Sequence, residues 1–141
     1  MKRSEKEEAN FKFNSVYASY LNLNSTIQIF FGGASSGKSY FLAQRCICHI
    51  LSNKNYLIVR KVGQTIRDST FNEIKKAIYR LSPRLIKNFK INESNLTITF
   101  LPNKKQILFK GLDDVLKLKS ITPLTGNFDY IWVEEATEVT R

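Results

Sequence analysis

The sequence predicts an α/β domain built on a mainly parallel sheet, and three observations point there. Short β-prone apolar runs alternate with stretches of helical periodicity. A glycine-rich turn joins the first run to a strong helical pattern, and the last run ends in two adjacent glutamates.

Taken in order, Met1 to Lys12 is a charged lead and residues 13–141 form the domain. Phe11 to Leu23 carries Phe11, Phe13, Val16, Tyr17, Tyr20 and Leu21 near helical spacing, which predicts a short helix. Thr26-Ile27-Gln28-Ile29-Phe30-Phe31 reads as a buried strand that stops at Gly32. Lys38 to Leu51 repeats apolar residues at Phe41, Leu42, Ala43, Ile47, Ile50 and Leu51, the stripe of a packed helix. Tyr56 to Val59 is a second strand. Ser69 to Leu81 places Phe71, Ile74, Ala77, Ile78 and Leu81 on one helix face, and Pro83 ends it. Leu96–Phe100 and Gln106–Phe109 flank Pro102-Asn103-Lys104 as a β-hairpin. Tyr130-Ile131-Trp132-Val133 is a last buried strand.

Composition narrows the class. A chain of 141 residues with 43% hydrophobic and 24% charged residues is that of one globular domain, not a disordered segment. No apolar run has the length of a membrane span, and the lead lacks the apolar stretch of a secretion signal, so no membrane and a cytoplasmic setting are expected. Cys46 and Cys48 lie two apart in a helical pattern, on different faces, which suits neither a disulfide nor a shared metal. The net charge of +10 is concentrated from Lys54 to Lys119, where fifteen basic residues meet five acidic ones. Such a field suits a polyanion, nucleic acid above all; it is also what a solvated basic face looks like.

Two segments carry chemistry. Gly32-Gly33-Ala34-Ser35-Ser36-Gly37-Lys38-Ser39 matches G-x-x-x-x-G-K-[ST], the phosphate-binding loop. The glycines let consecutive N–H groups face phosphate oxygens, and the following helix adds its unpaired donors and positive dipole end. Lys38 brings a point charge to the β and γ phosphates, and the Ser39 hydroxyl can ligate Mg²⁺, so ATP with Mg²⁺ is the expected cofactor. The second segment is Ile131-Trp132-Val133-Glu134-Glu135, an apolar strand that ends in acids. Beside a phosphate loop, Glu134 would face the metal shell and Glu135 would orient or deprotonate the attacking water. Standing alone, two acids after a strand are usually a solvated strand end.

Several segments together resemble the large subunit of tailed-phage terminase, most closely the PBSX-type family. They are Phe31 to Ser39; Val59-Arg60-Lys61-Val62 with Arg67-Asp68-Ser69; Phe109-Lys110-Gly111-Leu112-Asp113-Asp114 with Lys117 to Ser120; and Ile131 to Val139. The resemblance implies a P-loop ATPase of the additional-strand, conserved-glutamate class, which drives double-stranded DNA into procapsids. It implies a small-subunit partner, a portal protein, self-association in a ring, a bacterial host cytoplasm and a nuclease domain. By the same resemblance, Lys38 and Ser39 hold phosphate and metal, Glu134 is the strand-end acid and Glu135 the catalytic glutamate, while the basic middle touches the DNA backbone.

Two departures accompany it. Ala34 stands where many terminases carry arginine in the loop, which leaves Arg60 or Arg67 as arginine-finger candidates, each also suited to a surface ion pair. The sequence stops at Arg141, so the expectation is an ATPase domain incomplete at its C-terminus, with the nuclease domain absent. In the family's sheet order a strand following Glu135 lies between the phosphate-loop strand and the Glu134 strand, and its lack leaves a gap. Two other functions fit the motifs: a helicase-like or nucleotide-kinase P-loop enzyme, and a vestigial prophage remnant that binds nucleotide or DNA without turnover. Tyr20 and Asn22 stand where adenine could be contacted or where aromatic packing could occur.

Overall fold

The computed structural model describes residues 11–33 and 36–139. Its helices are α1 (Ser15–Ala18), α2 (Lys38–Leu51), α3 (Asn72–Tyr79), α4 (Pro83–Ile86) and α5 (Val115–Ser120). Its strands are β1 (Tyr56–Arg60), β2 (Phe89–Asn92), β3 (Thr97–Phe100), β4 (Lys105–Gly111) and β5 (Tyr130–Val133). They form one mixed sheet in the order β2-β3-β4-β1-β5. The β4–β1 and β1–β5 pairs are parallel, the β2–β3 and β3–β4 pairs antiparallel, so only β3 runs against the rest.

One face of the sheet makes the core. Ile58 of β1, Ile98 and Phe100 of β3, and Ile107 and Phe109 of β4 project toward Ile47 and Ile50 of α2 and Ile74 and Ile78 of α3. All of these are essentially inaccessible to water. The opposite face has a smaller cluster, Leu57, Val59 and Leu108, covered in part by Leu118 and Phe128.

The expected helix over Lys38–Leu51, the strand from Tyr56 and the hairpin are all formed. Four readings need correction. Pro83 opens α4 at its first turn, with the Ser82 hydroxyl accepting from the Leu85 N–H; a proline tolerated at N1 starts a helix as readily as it ends one. The helix foreseen from Ser69 begins at Asn72, after a kink at Ser69. Strand β5, foreseen as buried, lies at the sheet edge, with Ile131 64% and Val133 43% exposed.

The fourth correction is the largest. Thr26–Phe31 is no strand of the sheet: Ile27, Ile29 and Phe31 are 79%, 81% and 89% exposed. Among the described residues, 26–32 make no backbone–backbone hydrogen bond. The period of two survives, since Gln28 and Phe30 turn toward α2 while the isoleucines turn away. A strand needs a partner for its N–H and C=O groups, and none of the described strands lies beside this one.

Candidate functional site

The loop is shaped at its C-terminal end. Gly37 has φ +77°, a left-handed conformation that side chains resist, and it caps α2 without a side-chain acceptor. No acid occupies the first turn of α2, so its leading N–H groups and positive dipole end are not neutralised locally. A Cβ on Gly32 would press to 3.2 Å from the Ser36 Oγ, whereas Gly33 has open space around it. Ser36 N–H donates to the Gly33 carbonyl at 3.3 Å. Lys38 and Ser39 are half-buried in the opening turn of α2. Ala34 and Ser35 lie outside the described residues.

A contact that the sequence reading missed holds this loop. The Tyr17 hydroxyl of α1 donates to the Ser36 carbonyl at 3.1 Å, while its ring stacks on Phe41 of α2 with centroids 5.1 Å apart. Helical spacing alone made Tyr17 an apolar face residue, and it carries no signal of a loop partner. Tyr20 packs edge-on to Phe30 at 6.1 Å, the aromatic packing alternative. Asn22 lines a shallow recess with His49, Lys54 and Tyr130, at the far end of α2 from Lys38.

The acids arrive by β5. Its last ladder bond runs from the Glu134 N–H to the Val59 carbonyl at 2.9 Å. Glu135 follows in a left-handed conformation, φ 50°, and its side chain is exposed. The turn Ala136–Glu138 then folds back, and Glu138 pairs with Arg60 at 3.5 Å. Of the two arginine-finger candidates, Arg60 is thus engaged within the chain, whereas Arg67 is exposed.

Both half-sites lie at one end of the sheet. His49, in the last turn of α2, stacks on Tyr130 at 4.3 Å, and its Nδ1 lies 2.6 Å from the Tyr56 hydroxyl. Tyr56 and Tyr130 begin β1 and β5, so α2 runs antiparallel to both strands. Its 14 residues span about 20 Å. Its N-terminus, with Lys38 and Ser39, therefore sits at the end where the strands deliver Arg60, Gly111 and Glu134. Among the described residues Lys38 makes no ion pair with either acid.

The Phe109-Lys110-Gly111-Leu112-Asp113-Asp114 segment proves architectural. A Cβ on Gly111 would collide with the backbone of Gly63, so glycine is required where the chain after β1 crosses the end of β4. Asp113 accepts from the Gly63 N–H at 3.2 Å. Asp114 caps α5 by accepting from the Lys117 N–H at 3.1 Å. That backbone bond, with the Lys117 ammonium beside it, holds the Asp114 carboxyl below its ordinary range. The stretch so clamped, Gly63–Phe71, carries a second feature missed from sequence: the Ser69 hydroxyl donates to Glu134 Oε2 at 3.0 Å. Ser69 stood in a segment quoted only for its resemblance, and nothing local to it points at a carboxylate sixty-five residues away.

Cys46 is buried and Cys48 half-buried, neither joined in a disulfide, and burial pushes the Cys46 thiol well above its usual range. Among the described residues no cluster of His, Cys, Asp and Glu could by itself hold a metal ion, and no helix is long and apolar enough to cross a membrane.

These features define a mixed α/β domain in which a glycine-rich, helix-capping loop and an acidic strand end share one end of a five-stranded sheet. The chain belongs to the phage terminase large subunit family, whose sequence pattern matches residues 24–141. It is 38% identical over 119 residues to the PBSX phage terminase large subunit of Bacillus subtilis strain 168, covering 84% of this chain and 26% of that protein. It is 33% identical over 108 residues to the terminase large subunit of Bacillus phage SPP1, covering 76% of this chain and 25% of that protein. The chain thus spans about a quarter of the length of these curated relatives.

Proposed function

We propose that this chain is the nucleotide-binding front of a DNA-packaging ATPase of the additional-strand, conserved-glutamate P-loop class. The observation that carries the reading is the shared sheet end, where α2 begins and β5 delivers its acids. The donor set fits a magnesium–triphosphate: an uncapped helix N-terminus and Lys38 for phosphate, the Ser39 hydroxyl and Glu134 for the cation. Magnesium bound there would neutralise charge that develops on the phosphates. Backbone donors from Gly32 to Ser39 would orient the triphosphate, Ala34 and Ser35 included. Glu135, exposed at the turn, is the acid placed to take a proton from the attacking water. Arg67 is the exposed candidate for an arginine supplied to a neighbouring subunit in a ring.

The concentration of basic residues between Lys54 and Lys119 supports contact with the backbone of double-stranded DNA, independent of sequence and weakened by salt. Small-subunit and portal partners, and a bacterial host cytoplasm, follow from family membership in the same proposal. One observation favours a second reading, binding without turnover: the segment leading into the loop, 26–32, has no strand neighbour.

ATP turnover by the purified chain, measured with and without double-stranded DNA, separates the two. Turnover raised by DNA and reduced at least a hundredfold by Lys38→Ala and by Glu135→Gln is the expected result. Tight ATP binding with no turnover establishes the second reading. Absence of both nucleotide and DNA binding at low salt sinks the proposal.

A further inference from the structure

The Ser69 hydroxyl has one proton and three oxygens in reach. The Thr65 carbonyl lies at 3.0 Å, the Ile66 carbonyl at 3.4 Å and Glu134 Oε2 at 3.0 Å. An ionised carboxylate is the strongest acceptor of the three, so the proton goes to Glu134 whenever that side chain is charged. The carbonyls leave the serine a fallback when the carboxylate turns away. Ser69 is also held firmly. Ile66 and Phe71 on either side of it are fully buried, with Phe71 edge-on to Phe109 at 5.0 Å. The Phe71 N–H reaches back to the Ile66 carbonyl at 3.1 Å and closes the kinked turn around the serine. Upstream, Gly63 is seated against Gly111 and bound by Asp113.

A carboxylate on a free rotor can present either oxygen in many directions; a carboxylate with one oxygen fixed presents the other in one. Among the described residues no hydrogen bond reaches Glu134 Oε1. The main chain of Glu134 is fixed independently by its bond to Val59. Backbone and one carboxylate oxygen are thus both anchored, from β1 and from the turn before α3.

We propose that Ser69 is the positioning residue for Glu134, binding Oε2 so that Oε1 is presented to the magnesium of a bound nucleotide. This rests on the reading of Glu134 as the metal-facing acid. Outer partners of metal-binding carboxylates commonly change metal affinity ten- to a hundredfold when removed, which sets the size of the expected effect.

The test compares binding of a fluorescent N-methylanthraniloyl-ATP to the whole chain in EDTA and in magnesium. In the unmodified chain magnesium should tighten binding, and Glu134→Ala should abolish that gain while leaving the EDTA affinity within about twofold. Ser69→Ala should lose about tenfold of the magnesium gain, again with EDTA affinity kept, which shows that the loop and fold survive. Ser69→Thr, which keeps the hydroxyl, should restore most of the gain. A Ser69→Ala chain with the full magnesium gain overturns the positioning role alone. So does loss of the gain in Ser69→Thr with EDTA affinity kept. If magnesium gives no gain in the unmodified chain, or Glu134→Ala retains it, the metal-site reading and the positioning role fall together.

Discussion

Strand β1 has two flanks, and they are built differently. Toward β4 it pairs residue for residue from Tyr56↔Ile107 to Arg60↔Gly111, and the sheet continues through β3 to β2. Toward β5 it pairs over four residues, and no described strand continues the sheet past β5. The first flank is backed by α2 and α3 with interlocking isoleucines and phenylalanines. Beyond the second lie Ile131 and Val133, half-exposed, and the uncovered isoleucines of 26–31. Apolar alternation is a local property of sequence; pairing is a relation between distant segments, and an alternating run without a neighbour keeps its pattern while exposing its apolar side.

If the flanks differ as described, matched truncations separate them most sharply. Ile58→Ala, in the closed core beside β4, should cost about 2 to 5 kcal/mol in urea unfolding. Ile29→Ala, on the open side, should change stability by less than about 0.5 kcal/mol. Equal losses would mean that 26–31 is packed in solution, and the contrast would be gone.

A smaller effect is expected where the flanks are joined. Asn55, fully buried just before β1, accepts from the Gln106 N–H at 2.9 Å and donates from Nδ2 to the Thr125 and Asn127 carbonyls at 2.6 and 3.0 Å. Its own N–H donates to Asp129 Oδ2 at 2.8 Å. One side chain thus ties β4 to the loop that leads into β5. Asn55→Ala strands the buried Gln106 N–H and two partly buried carbonyl bonds and should cost about 2 to 3 kcal/mol, with hydrogen exchange of β5 amides rising more than that of β4 amides. A uniform rise across both strands would show that the join is not where the two flanks meet.

The smallest effect concerns the Asp114 cap on α5, which covers part of the second face. Its carboxyl is held low in the folded chain, so the capping contribution is present above the ordinary carboxylate range and is lost as pH falls through the lowered value. The protection factor of the Lys117 amide, taken against its intrinsic exchange rate at each pH, should hold as pH falls into the ordinary carboxylate range and drop only below it, and Asp114→Asn should flatten that dependence. Loss of protection already above the ordinary carboxylate range would contradict the cap.

Much of the site was legible because its signals are short in sequence. Gly37, Lys38 and Ser39 announce a helix-capping loop through residue type and spacing, and α2 runs over the residues its apolar stripe marks. Glu134 and Glu135 follow a strand whose β-branched and aromatic residues mark it. The elements missed, β2, α4 and α5, are each four to six residues long, too short for a period to declare itself. Gly111 could be read as part of a family-like segment, yet its reason, the close passage of Gly63, is a contact across forty-eight residues.

By itself the sequence determined which residues can do chemistry and which stretches prefer helix or strand, since both depend on side-chain type and near-neighbour geometry. Only the tertiary structure decided that the C-terminal end of α2 packs where β1 and β5 begin, that 26–31 stands unpaired among the described residues and that Ser69 reaches Glu134. Those outcomes depend on which distant backbone groups find partners. Hydrogen bonds between strands, unlike propensities, exist only once both sides have been brought together.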